Sequence, residues 1–350
     1  MSDVRPLTSV GCLAAGAFLV ILAAVAGSSA AQAEVSSARL DQLAAAAAKA
    51  GPIIWYESSP DDQAAKIVAG FEQRFPGLKI EHVRDTGGNS IGARIVQESQ
   101  SGVRTGDLAT TGSSIIEPMI ARNLLRKIDW AADGLDANMA PSPYAVRTTA
   151  VVYVILYNSS LVSEAQAPKN WLDLLDPRWD GKVGIWVRGE GQGALAAAWG
   201  EDKVVDYVKK MNARHPVVLK STFPLAQQVA AGEILVGFSL YHSAQPPIRR
   251  GAPIKVVVPQ PVPVETLYSV VPEKAGNPAG GELVAVWLAT PEGGKIYEDA
   301  TDRGNPLLPN TKTHALLAGH AMAEYPAADA GKEAVIVERL NKLIESGATQ

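Results

Sequence analysis

The chain has 350 residues, 47% of them hydrophobic and 19% charged, with a formal net charge of −4. That length exceeds one ordinary core and predicts about two lobes, while the composition excludes an intrinsically disordered chain. With no basic excess and no Lys/Arg stripe, nucleic acid is excluded as an expected partner.

The first 33 residues differ from the rest. Arg5 gives a positive start, "VGCLAAGAFLVILAAVAG" is an apolar run, and "AQA" precedes Glu34. This layout predicts a secretory signal peptide cleaved near Ala33, and so a periplasmic protein. The run of roughly 18 residues is also marginally long enough for a membrane anchor, but the small-residue cleavage site argues against one. Cys12 is the only cysteine and comes before most of the run, whereas a lipid anchor carries its cysteine after it. The mature chain is therefore expected to be a monomer with no stable membrane insertion, no disulfide and no thiolate metal site.

Ser37–Ala50 reads as an Ala-rich helix, Ile53–Tyr56 as a buried strand, and "DDQAAKIVAGFEQRFPG" as a helix stopped by Gly77. "LKIEHVRD" alternates like a strand, "TGGNS" is a turn, and "IGARIVQESQSG" is a second helix. "DLATTG" is a strand, and "SSIIEPMIARNLL" a third helix. This alternation predicts an α/β fold with mostly parallel sheets flanked by helices. Thr148–Asn158 is a β-branched apolar strand long enough to pass between lobes, and Val264–Val271 is a second stretch that returns the chain. Two crossings predict lobes discontinuous in sequence and joined by a hinge. The expected division is 34–150 plus 270–350 for one lobe and 151–269 for the other, with C-terminal helices free to pack on either. Between the crossings, "KVGIWV" and "EILVGFSLY" read as strands; "GGELVAVWLAT" onward reads as helical.

"APKNWLDLLDPRWDGKVGIW" (Ala167–Trp186) closely resembles the P-x-x-W-x-D-L-L-D-P-x-W-K-G-K-V segment of periplasmic solute-binding proteins of bacterial ABC importers, nearest the ferric-ion-binding class. "VVYVILYNSSLV", "VAAGEILVGF", "RRGAPIKVVVP" and "WLATPEGGKIYEDATDRGNPLLP" resemble further pieces of that family in the same order. The resemblance runs over nearly all of the mature chain. It implies a two-lobed, type II periplasmic binding protein that closes on a small-molecule solute and delivers it to a membrane permease, with no cofactor.

In such open α/β sheets, ligands sit outside the carboxyl ends of strands, where helix N-termini favour negative charge. That rule selects Glu57, Ser58 and Ser59 after the first strand, with capping of the next helix by Ser59 or Asp61 as the bland alternative. It selects Thr86, Gly87, Gly88 and Asn89, where paired glycines let backbone approach a ligand, and Thr111, Gly112, Ser113 and Ser114. It also selects Ser221 and Thr222, and Tyr241 and His242 after "GFSL". Each group serves equally well as a turn or cap. Arg147 and Arg188 stand near strand ends and could clamp a carboxylate or phosphonate bidentately, though a surface Arg is the commoner case.

Trp171 and Trp179 belong to the resembling segment and read as packing, as do Tyr153 and Tyr157. His82, His215, His314 and His320 have no partner at metal-site spacing, and there is no Walker loop or G-x-S-x-G elbow. Ser239 and His242 lie close in sequence without an evident orienting acid, so no enzyme is expected. The resemblance implies paired tyrosines in iron binders; here only Tyr241 occupies that stretch. The expected solute is thus a small anionic or zwitterionic organic molecule of phosphonate or carboxylate type. Ferric iron, ligated by Glu57, Tyr144 and Tyr241, is the alternative.

Overall fold

The computed structural model describes residues 35–85, 90–326 and 329–348. The predicted signal peptide and the predicted Thr86–Asn89 turn lie outside the described residues.

The Ala-rich segment forms α1 (Ser37–Ala47), capped by Ser36. Then follow β1 (Ile53–Glu57), α2 (Asp61–Arg74), β2 (Ile80–Arg84), α3 (Ser90–Gln100), β3 (Leu108–Gly112), a 3-10 turn (Ser113–Ile115) and α4 (Ile116–Ala121). The capping alternative for Ser59 and Asp61 is not what forms. Pro60 starts α2 without a side-chain cap, and Asp61 and Asp62 in its first turn complement the helix dipole instead. β4 (Val146–Asn158) is the first long strand. Beyond it come β5 (Val183–Trp186), α5 (Glu190–Trp199), α6 (Glu201–Asn212), β6 (Val217–Leu219), α7 (Thr222–Ala231), β7 (Val236–Leu240), α8 (Tyr241–Arg249) and β8 (Ile254–Val257). β9 (Val262–Val270), α9 (Pro278–Leu288), α10 (Pro291–Thr301), α11 (Lys312–Leu317), the two-residue β10 (Met322–Ala323) and α12 (Ala330–Ala348) complete the described chain.

The strands run in the order β2-β1-β3-β9-β4-β7-β5-β6, with β8 beside β4 and β10 beside β9. β1 pairs in parallel with β2 and β3, and β5 with β6 and β7, as strand–helix–strand connections require. β4 and β9 are antiparallel to each other, and to β7 and β3 respectively, because they carry the chain across and back. Val146–Val152 of β4 pairs with β9, while Tyr153–Tyr157 pairs with β7. One strand thus belongs to both halves of the sheet, and a parallel-only sheet is not formed.

Apolar residues gather at both ends of these crossing strands. Trp55, Phe71, Trp287 and Tyr297 fill a core among α2, β1, α9 and α10. Trp171, Trp179, Phe238 and Ile344 fill another among β5, β7, α6 and α12. Trp171 and Trp179 are packing residues, as read from the sequence, and their indole N–H groups donate to the carbonyls of Pro261 (2.8 Å) and Asp173 (3.1 Å). α9 and α10 therefore pack at one end, and α12 at the other.

Two further details set the frame. Buried Asp107 accepts the backbone N–H groups of Ile54 (2.8 Å) and Asn277 (2.6 Å) and pairs with Arg104, tying β1, β3 and the start of α9 together. The strand read as "EILVGFSLY" ends at Leu240; Tyr241–Arg249 is helical despite Pro246 and Pro247. That early stop turns the whole "YHSAQ" stretch into the first turns of a helix.

Candidate functional site

Six strand ends open on one cleft of about 410 Å³, within the usual range for small-solute sites. Ser58 follows β1, Arg84 and Asp85 end β2, and Thr110–Gly112 end β3. Across from these in the strand order, Trp186, Arg188 and Glu190 join β5 to α5. Lys220–Phe223 join β6 to α7, and Leu240 and His242 join β7 to α8. Val151 of β4 and Glu265 and Leu267 of β9 supply walls from the crossing strands, and Arg303, just after α10, supplies a guanidinium.

Arg303 is 6% exposed and organises one wall. Its Nη2 lies 3.0 Å from Glu57 Oε1 and also donates to Ser59 Oγ; Nη1 donates to Ser58 Oγ at 3.3 Å. Glu57 is fully buried and further accepts Tyr297 O–H (2.8 Å) and the Ser59 N–H (2.5 Å). Burial alone would raise the Glu57 pKa; the Arg303 charge, with the nearby His82 ring and the hydrogen bond from the Ser59 N–H, holds it well below the usual carboxylate range. Burial, then the Arg303 charge, pushes the His242 imidazole down to about 3, so His242 is neutral at neutral pH. Among the described residues its Nδ1 has no hydrogen-bond partner, and neither does the hydroxyl of Thr111, which is 4% exposed.

An acidic wall stands on the crossing strand. Glu265 accepts Tyr153 O–H at 3.3 Å, and burial, together with the charges of Glu190 and Glu333, pushes it up to about 8. Burial also raises Glu190 and Glu333, the latter accepting Ser113 O–H at 2.8 Å. α7 starts at Ser221 with no side-chain cap bond, leaving its first N–H groups unclaimed by side chains beside the cleft.

Of the residues singled out from sequence, Ser58, Thr111, Gly112, Arg188, Ser221, Thr222 and His242 line this cleft. The others are placed elsewhere, each for a physical reason. Glu57 and Ser59 sit behind the wall, consumed by Arg303. Ser113 donates to Glu333 and borders a separate cavity, and Ser114 borders another near α3 and α4. Arg147 pairs with Glu324 (3.4 Å), bonds Thr266, and covers the Tyr268 ring. Tyr241 packs with the apolar cluster of α7, α8 and β8, while Tyr144 lies under Lys127 beside a different cluster. Glu57, Tyr144 and Tyr241 are therefore split between an ion pair and two hydrophobic surfaces, and do not gather around one point as an iron site would require. No group of three or more His, Cys, Asp or Glu that could hold a metal ion occurs among the described residues. Thr86–Asn89 lie outside the described residues. Ser239 Oγ is buried without a hydrogen-bond partner, so Ser239 and His242 form no nucleophile–base pair.

Sequence reasoning missed Arg303, Glu190, Glu265, Arg84, Asp85 and Lys220. Four of these flank strand ends and were within reach of the same rule. Glu265 carried its own signal, a lone charge inside "VPVETLYSV". Arg303 carried none, because only the packing of α10 on β1 brings it to the cleft.

The chain belongs to the bacterial extracellular solute-binding protein family, whose model matches residues 109–329. Its fold is the two-lobed one of periplasmic substrate-binding proteins of ABC transporters. The substrate-binding protein of an ABC transporter from Agrobacterium tumefaciens is 19% identical with a TM-score of 0.69, over 85% of this chain and 96% of that one. Iron-bound HitA from Pseudomonas aeruginosa is 17% identical with a TM-score of 0.71, over 84% and 99%. AfuA from Actinobacillus pleuropneumoniae, with fructose-6-phosphate bound, is 19% identical with a TM-score of 0.70, over 84% and 99%. A curated relative, an uncharacterized protein of Haemophilus influenzae, is 34% identical over 100 residues. That match spans 27% of this chain and 29% of the relative's length. No helix among the described residues is long and apolar enough to cross a membrane.

Proposed function

We propose that this protein is the periplasmic solute-binding component of an ABC importer. In this reading it captures a small anionic or zwitterionic organic solute of carboxylate or phosphonate type and hands it to a membrane permease. The lobes would be 34–150 with 270–350, and 151–269, with the leader removed near Ala33 and the mature protein monomeric and non-catalytic.

One observation carries this reading: six strand ends converge on a single cleft together with Arg188, Lys220 and the start of α7, which has no side-chain cap bond. Helix N-termini and guanidinium groups recognise anions. The family membership and the sugar phosphate held by AfuA on the same fold agree with it. HitA holds iron on that fold, but the hard oxygen donors Glu57, Tyr144 and Tyr241 lie apart in this chain, which favours the organic anion.

Thermal-shift screening of carboxylates, phosphonates, phosphate esters and ferric citrate tests this. A carboxylate or phosphonate is expected to raise the melting temperature. Arg188→Ala is expected to weaken that compound by roughly 30-fold or more, the scale of a charge-assisted hydrogen bond. Binding of an anion that is indifferent to Arg188→Ala would remove the guanidinium from the site.

A further inference from the structure

We infer that the cleft holds the ammonium group of a zwitterionic solute between Glu190 and Glu265, so that the solute is an amino carboxylate or amino phosphonate rather than a simple anion. This rests on the proposed function above and assigns the opposite charge of the same ligand.

The two carboxylates come from different elements, the start of α5 and the middle of β9, yet both line the one cleft. Buried carboxylates that share a site hold a proton when empty, and a cation entering between them lets both ionise. The groups facing Glu265 are Tyr153 on β4, Glu190 on α5 and Glu333 on α12, with Arg188 and Arg303 contributing favourable charge from the cleft wall. Arg303 is already paired with Glu57. Glu190 Oε2 is buried and has no hydrogen-bond partner among the described residues.

A second observation points to the same ligand atom. The Thr111 hydroxyl, buried and without a partner among the described residues, lines this cleft and is a ready acceptor for an ammonium N–H. Beside it, Gly112 leaves room at the acid: a Cβ there would stand 3.0 Å from Glu265 Oε1. The absent side chain keeps that oxygen open. Glu190, Glu265 and Thr111 together can accept the three hydrogens of one ammonium group, and Arg188, Lys220 and the start of α7 can take the anion.

Calorimetric titration of the purified mature protein with matched pairs tests the inference. The pairs are 2-aminoethylphosphonate with ethylphosphonate, β-alanine with propionate, and 4-aminobutyrate with butyrate. At least one amino compound is expected to bind, with its amine-free partner at least 100-fold weaker. Glu265→Gln and Glu190→Gln are each expected to weaken the amino compound tenfold or more and to narrow its margin over the amine-free partner. The selectivity of the wild-type protein decides the matter even if a variant folds poorly. Equal binding of both members of a pair, or full affinity in both variants, overturns the ammonium subsite and leaves the proposed function standing. Binding of none of these anions overturns the inference, and a response to ferric citrate instead overturns the proposed function with it.

Discussion

Arg303→Met is expected to lower the unfolding free energy by about 3–5 kcal/mol, the usual cost of leaving a buried charge without its partner. The reason is specific to this wall. Glu57 is fully buried, and the Arg303 guanidinium is the one cation at hydrogen-bond distance from it among the described residues. Ser59 and Tyr297 also donate to Glu57, but neither offsets a full charge. Adding Glu57→Gln to Arg303→Met is expected to restore part of the loss, because an amide needs no counter-ion. Urea unfolding of the two variants measures this. A cost below about 1 kcal/mol, or no recovery in the double variant, would show that Glu57 is not held charged by Arg303.

The second large effect is in the pH dependence of stability, where three groups pull in different directions. His242 has a depressed pKa, so the unfolded chain binds its proton first; stability falls as pH drops from about 6.5 toward 3. Glu57 is also depressed, and its contribution is lost at still lower pH, below the ordinary glutamate range. Glu265 is raised to about 8, so the unfolded chain ionises first and stability falls as pH climbs from about 4.5 to 8. Each group contributes at most about 1.4 kcal/mol per pH unit within its window. His242 and Glu265 thus oppose each other between about pH 4.5 and 6.5. The expected profile is a plateau there, a fall of a few kcal/mol by pH 8, and a steeper fall in acid where His242 and Glu57 act together. Glu265→Gln is expected to remove the alkaline fall, and His242→Gln to shallow the acid limb. Urea midpoints collected from pH 4 to 9 give the profile. An alkaline limb unchanged in Glu265→Gln would contradict the placement of that carboxyl.

Much of the frame was legible in the residues because it follows from local pattern. The alternation from Ile53 to Gly112 announced the strand–helix units, and the length and branching of Thr148–Asn158 announced a long crossing strand, which the structure places in both halves of the sheet. The rule that ligands gather at strand ends brought Ser58, Thr111, Gly112, Arg188, Ser221, Thr222 and His242 to one cleft. What the residues could not declare was long-range pairing. Glu57 and Ser59 looked like solute ligands because nothing local shows that Arg303, about 245 positions away, claims them. Arg147 looked free until Glu324 met it, and Ser113 until Glu333 did. Tyr241 was placed at a strand end, but the strand stops one residue earlier and α8 turns the ring into an apolar cluster. That turn separates Tyr241 from Glu57 and Tyr144, the three oxygen donors the iron alternative needs.

The most direct test is the identity of the molecule carried by the protein when it is purified from its native host without added ligand. Mass spectrometry after acid release, with a visible spectrum taken beforehand, gives it. The account predicts a colourless protein releasing a small organic molecule with a carboxylate or phosphonate group, carrying an amine if the acidic wall binds it. A tyrosinate–iron charge-transfer band with stoichiometric iron, or a released solute lacking any anionic group, would contradict it.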